Sequence, residues 1–496
     1  MNLILNNIPA LLVAIPLLAS AVVSLLPSAR LAWGVAFATT LICLYMAFEL
    51  TDIISSSQAL TYAFGGWEPP WGIVFVLDGA NVYLVLLVAF VSVITTLYAY
   101  AMLAREIAVE DLPRAYAVWL LAIASLFGLT MTGDAFNLFV FLEISALSSI
   151  TLIALGAGQD RRALLAAYNY LIIGAIGATF YVIGVGYLYA ATGSLNLIDI
   201  VDRLNELGTN QAAITGLAFM LAGIMVKAGV FPVHIWLPAA YSYAPSAVSS
   251  LLAAIATKVA IYYFARLLFG IFIDITQLVD FFLLYILMPV SFLAIFYGTI
   301  AAIYQSDLKR LFALSSIAQI GYITFAFSLN SHSGISAGFI HIINHAVIKG
   351  ALFMAVGIFA LGIGSRATML SMQGVGRQMP ITFAGFVMAG LALIGVPLTA
   401  GFISKLYLFK AIFETGNGFY VALIALSSVL SVLYLWKIFE VMWLKEPLKP
   451  LKIDKEPASA YVPVWLMVAV IMIFGVYSGD VISSGIGAAN ALVGAR

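Results

Sequence analysis

A single cysteine, Cys43, occurs in the 496 residues. It has no partner for an internal disulfide, and one thiol cannot build a thiolate metal cage or an iron–sulfur ligand set. Charge is equally scarce. Asp, Glu, Lys and Arg together make up 9% of the chain, with 22 basic residues against 22 acidic ones, so no basic excess exists to hold a nucleic-acid backbone. Nucleotide loops and flavin motifs are missing too. The chain is therefore expected to carry no cofactor and to perform neither redox chemistry nor ATP hydrolysis by itself. What fills the sequence is apolar: 64% of it is hydrophobic, far outside the balance of a soluble domain. Apolar stretches of roughly 20 residues recur from end to end, too long and continuous for the alternating strands of an outer-membrane barrel. The fold class is an all-α polytopic membrane protein.

Apolar runs broken by Gly, Pro or charge predict about fourteen spans, the first centred near Pro16 and the last near Met467. The first apolar run, from Ile8 to Leu26, lacks a basic leader and is long enough to span, so it reads as a retained helix. Basic residues test the count, because Lys and Arg collect in short cytoplasmic loops. Arg30, Arg105 with Arg114, Arg161 with Arg162, Lys309 with Arg310, Arg366 with Arg377, and Lys445, Lys449, Lys452 and Lys455 all fall in alternate connections. The opposite loops keep little beyond Arg203, Arg266 and Arg496, and hold Asp52, Glu68, Asp199, Asp202 and Glu206. Both termini are thus expected to face away from the cytoplasm. No soluble domain interrupts this single membrane domain.

Six lysines remain inside apolar runs: Lys227, Lys258, Lys349, Lys405, Lys410 and Lys437. A mid-bilayer charge costs a few kcal/mol, so repeating it argues for use. Lys410 and Lys437 lie nearer helix ends, where a long side chain reaches the interface. Lys227, Lys258 and Lys405 lie deeper. Glu143 is the one carboxylate near the middle of a span, and a buried lysine is its natural partner. Asp134 precedes the same helix as a cap. His341, His345 and Lys349 fall at i, i+4 and i+8, spreading over about 12 Å of one helix side. That spacing suits proton hopping, and it equally suits a purely structural hydrogen-bonding role. Metal is not expected there, because the Glu of the metalloprotease pattern and any further ligand cluster are missing. Pro232 follows Lys227 and Pro397 precedes Lys405, so each helix should break near its lysine and free backbone carbonyls toward the interior.

Four segments carry a resemblance. They are Lys227 to Leu252, which contains Pro232, His234 and the run Tyr241-Ser242-Tyr243-Ala244-Pro245; Asp307 to Tyr322; His341 to Lys349; and Gly395 to Lys405. Together they resemble the antiporter-like subunits shared by Mrp cation/proton antiporters, respiratory complex I and membrane-bound hydrogenases. The resemblance implies fourteen helices with two inverted five-helix repeats, here about residues 113–271 and 272–445, after three leading helices in 1–112 and before a loop and last helix in 446–496. It implies broken helices 7 and 12, hinged at Pro232 and Pro397. It assigns a proton path to Glu143, Lys227, Lys258, His345, Lys349 and Lys405, with His234 and His341 secondary. Lysine at 405 is most like the D-type member of Mrp antiporters or the N-type subunit of complex I, and the wording at 241–245 leans toward the Mrp D type. Implied partners are other membrane subunits, lipid, protons and a monovalent cation, sodium first, in the inner (plasma) membrane of a cell. A proton-pumping subunit of a redox-driven complex, a stand-alone solute carrier and a membrane scaffold are the competing readings.

Overall fold

The computed structural model describes residues 6–57, 59–208, 210–271, 276–448 and 456–493. Lys449, Lys452, Lys455 and Arg496, used above to orient the chain, lie outside the described residues. Helices α1 (Ile8–Ser24) and α2 (Ala29–Ser57) lead into an antiparallel hairpin, β1 (Ala59–Ala63) with β2 (Val74–Asp78), in which Thr61 faces Val76. There follow α3 (Val82–Glu106), α4 (Leu112–Met131), α5 (Ala135–Ala154), α6 (Arg162–Thr192), the short α7 (Leu197–Leu207), α8 (Gln211–Ala228), α9 (Trp236–Tyr243) and α10 (Ser246–Ile271). The rest comprises α11 (Leu278–Ile303), α12 (Leu308–Ser328), α13 (His332–Ile363), α14 (Pro380–Ile394), α15 (Ala400–Glu414), α16 (Gly418–Leu444), α17 (Ala458–Val476) and α18 (Gly479–Val493).

Among the described residues, 12 helices are long and apolar enough to cross a membrane, so the chain is a mostly helical, multi-pass membrane protein. The expected fourteen spans counted two further crossings. One is α1, which has only 17 residues; the other is divided by a break into α14 and α15, of 15 residues each.

Local chemistry sets the helix ends. Asp134 accepts the Asn137 backbone N–H at 2.6 Å as the expected cap, and Asp307 and Ser331 do the same for Arg310 and Gly334, satisfying donors that a first turn leaves free. Small residues set the closest approach. A methyl added at Gly184 would lie 2.5 Å from the Gly216 carbonyl oxygen, and one at Gly223 would lie 2.4 Å from that of Gly177. Helices α6 and α8 therefore touch backbone to backbone, as glycines allow in lipid. Helix α12 is buried from Leu311 to Ser328, and α4, α10 and α13 are buried along most of their spans, so these four form the interior of the molecule, with α2, α6 and α16 carrying apolar side chains outward.

Candidate relay site

Both expected breaks are present. Helix α8 stops at Gly229, held in the left-handed region at φ +67, where glycine alone is unstrained. The chain resumes as α9, and the Trp236 indole N–H donates to the Val226 carbonyl at 2.9 Å across the gap. Helix α14 stops at Gly395, φ +93, and α15 restarts at Ala400. Pro232 and Pro397 lie inside these two breaks.

The lysines find carbonyls and hydroxyls. Lys405 Nζ donates to the freed Ile394 carbonyl at 2.6 Å and to Ser428 Oγ at 2.9 Å, and it lies 5.3 Å from the Tyr322 ring centre. Its stem rests on Gly395, where an added methyl would come within 2.9 Å of the Lys405 Cδ. Lys349, fully buried, donates to the Phe312 carbonyl at 2.8 Å and to Ser315 Oγ at 2.5 Å. Lys258, also fully buried, donates to the Ala253 carbonyl and to Thr257 Oγ1 at 3.5 Å. Ala253 belongs to a π-turn, Leu252–Ala256, inside α10, a widening common at functional sites. Lys227 is half-buried at the end of α8 and donates to the Tyr170 hydroxyl at 3.0 Å.

His341 and His345 stack at 5.9 Å with planes 5° apart. The His341 ring bonds Ser404 Oγ through Nδ1 and Gln319 Oε1 through Nε2, both at 2.9 Å. His345 is fully buried and neither ring nitrogen has a hydrogen-bond partner among the described residues. Lys258 is within electrostatic reach of His341, His345 and Lys349, and Lys405 of His341. Thus Lys258, His345, Lys349, His341 and Lys405 gather in one buried row. Lys227 joins it through aromatics: the Tyr170 ring meets Trp236 at 4.6 Å, Trp236 meets Tyr241 at 6.3 Å, and the Tyr241 hydroxyl bonds the Leu252 carbonyl beside Ala253.

Two expected members stand apart. Glu143 is half-buried on a stripe of α5 with exposed Phe136, Val140 and Leu147. It makes no hydrogen bond or ion pair among the described residues, and no ion pair to Lys227 is present. His234 packs its ring on Phe231 and Tyr297, with Nδ1 unpartnered among the described residues. The sequence reading missed the neutral partners Tyr170, Ser315, Gln319, Tyr322, Ser404 and Ser428. Ser315, Gln319 and Tyr322 lie inside the Asp307 to Tyr322 segment and Ser404 inside the Gly395 to Lys405 segment, which were the available signals.

At the basic-loop face, a cavity of about 340 Å³ separates the ends of α3, α9, α12 and α13. Arg366 pairs with Asp307 at 2.7 Å and with Asp160 at 3.1 Å, and Arg162 pairs with Asp160 at 2.7 Å. The Tyr243 ring, at the end of α9, lies 4.9 Å from the Arg162 guanidinium and 4.6 Å from that of Arg366. The Arg162 hydrogen bonds hold the Asp160 carboxyl down from 3.8 to about 2.

Residues 132–431 match the family model described as NADH:quinone oxidoreductase/Mrp antiporter, TM. The chain is 37% identical to the N-type subunit of the NADH-quinone oxidoreductase of Desulforudis audaxviator, over 96% of this chain and 97% of that one. It is 28% identical to the D-type subunit of the Na(+)/H(+) antiporter of Bacillus subtilis, over 95% and 94%. A chain of the membrane-bound sulfane sulfur reductase, an archaeal respiratory membrane complex, superposes with a TM-score of 0.87 at 29% identity, covering 98% of each chain. One from the Mrp complex of Dietzia sp. DQ12-45-1b superposes at 0.89 and 24% identity, over 99% and 98%, and so shares the fold. Each of these solved neighbours is part of a complex, and with the match spanning both helix breaks and the buried row, this chain belongs to the NADH:quinone oxidoreductase/Mrp antiporter transmembrane family.

Proposed function

We propose that this chain is the proton-translocating subunit of a multisubunit monovalent cation (Na+)/proton antiporter. Protons pass from Lys227 through Lys258 and the His345/Lys349 region to Lys405. The observation that carries this reading is the buried row of lysines and histidines whose partners are carbonyls and hydroxyls, with no carboxylate among them. A row of protonable groups held by neutral partners is suited to passing charge, whereas a structural lysine is ordinarily neutralised by an acid. Moving one charge across 100 mV is worth about 2.3 kcal/mol, enough to drive such a row or be driven by it. Residues 113–271 and 272–445 act as two inverted halves, each with one broken helix and its lysine. Glu143, on the outward stripe of α5, modulates Lys227 from the contact with a neighbouring subunit, and both termini face away from the cytoplasm of a plasma-membrane complex.

Lys227→Ala is expected to abolish cation/proton exchange in inverted vesicles at normal assembly. Lys227→Arg is expected to fail as well, since guanidinium keeps its proton to above about pH 12. Full exchange by either variant at matched abundance would overturn the relay.

The 37% identity to a quinone oxidoreductase subunit favours a second reading, in which electron transfer in partner subunits drives the same row and the assembly is a translocase. Redox subunits in the purified native complex would select it.

A further inference from the structure

Away from the relay, a cavity of about 520 Å³ opens between α2, α3, α13, α17 and α18. Its walls are mostly apolar, and Phe48 and Ile473 at its rim are about half exposed, so it opens sideways toward the membrane. Two carboxylates, Asp52 and Asp480, also line it. Both are exposed, and neither forms an ion pair among the described residues.

The depth of these groups follows from helix rise. Asp52 lies about 34 Å along α2 from its basic-loop end at 1.5 Å per residue, beyond a hydrocarbon core about 30 Å thick. Helix α17, with 19 residues, crosses about 28 Å, and Asp480 follows its far end. Both carboxylates therefore stand at headgroup level on the face opposite the basic loops. The cavity floor reaches Ile343 and Val347 of α13, and Val347 is the midpoint of that 32-residue helix, near the bilayer centre. The cavity thus runs the depth of one leaflet, acidic at the head and apolar below.

We infer that this cavity is a lipid site whose occupant is an amine-headed phospholipid of the leaflet opposite the basic loops. The ammonium, with three N–H donors and a positive charge, meets Asp52 and Asp480, and one acyl chain fills the apolar shaft. An anionic headgroup would bring its phosphate charge against two carboxylates with no compensating amine. The bound chain rests on Ile343 and Val347, at the back of the helix face that carries His341, His345 and Lys349, so the lipid braces the relay helix.

The test uses the native complex in phosphatidylcholine nanodiscs containing a phosphatidylethanolamine with a photoreactive diazirine in its acyl chain. The matching phosphatidylglycerol serves as comparison. Adducts are expected on α3 and α17 peptides, predominantly from phosphatidylethanolamine. Asp52→Asn combined with Asp480→Asn should reduce them about fivefold. Ile473→Trp, at an exposed rim position that tolerates bulk, should reduce them further by closing the mouth. Equal labelling by the two lipids, or labelling indifferent to both the acid and the rim variants, would overturn the site. Absence of labelling by either lipid would mean that a partner subunit fills this face, and would overturn it equally.

Discussion

His345 buries both ring nitrogens without a hydrogen-bond partner among the described residues, a cost of about 1–3 kcal/mol for an unsatisfied polar group. A side chain kept for packing would gain from losing it. His345→Leu is accordingly expected to assemble as well as the parent or better, with a complex as heat-resistant, while exchange falls sharply. A variant that is destabilised yet still transports would make His345 structural. Lys405 sits at the far end of the row and separates two roles by charge sign. Lys405→Glu should keep partial exchange with an altered pH profile, because a carboxylic acid also binds and releases protons, whereas Lys405→Leu should keep none. The measurement is pH-resolved exchange in inverted vesicles at matched abundance; parental activity in the leucine variant would move the exit elsewhere.

At the scale of the element, the breaks depend on close backbone approach. A methyl at Gly401 would come within 1.7 Å of the Ala392 carbonyl oxygen across the α14–α15 break. Backbone on both sides cannot yield cheaply, so Gly401→Ala should lower assembled complex in membranes more than any lysine variant does. Helix α9 is a second lever. Its Tyr243 end is held between Arg162 and Arg366, and its Trp236 end touches Val226 and Tyr170 beside Lys227. Arg366→Gln removes both pairs from the second half of the chain, and it should shift the pH at half-maximal exchange even where yield is unchanged. The Asp160 carboxyl, held near 2, contributes stability that is complete above about pH 4 and lost as pH falls toward 2. Thermal unfolding of Asp160→Asn should therefore differ from the parent at pH 6 and converge with it near pH 2.

Both breaks and the cap at Asp134 were legible in the sequence, because proline, glycine and a capping acid act through the backbone within a few residues. Burial of Lys258 and Lys405 was legible too, from charge inside an apolar run, whereas Lys227, expected to lie as deep, is half-buried at the end of α8. Partners were not legible. A lysine in a helix announces a need for neutralisation but not its source, so Glu143 looked like the natural partner of a buried lysine. Tyr170, 57 positions away, is an ordinary aromatic until α6 packs on α8. The span count differs for a related reason: an apolar run divided by a break reads as one crossing, while its two pieces are each too short to be one.

Over the whole molecule, the carboxylate of Glu143, without a partner among the described residues and set on an outward stripe, calls for a covering surface. The described residues supply none for it, whereas the solved neighbours belong to complexes. Purification under mild detergent is expected to bring down small hydrophobic companions, with a crosslink from position 143 to one of them; recovery of the chain alone would count against a role within a complex. The carbonyl partners of Lys258, Lys349 and Lys405 have a kinetic consequence. An ammonium and the amine it leaves behind both present N–H, so a carbonyl holds the nitrogen in place before and after the proton departs. A carboxylate would grip one form and release the other, and every transfer would then wait for a side chain to swing. In the proposed relay the nitrogens can stay where they are while the charge moves, so the slow motion of a transport cycle would lie outside this row.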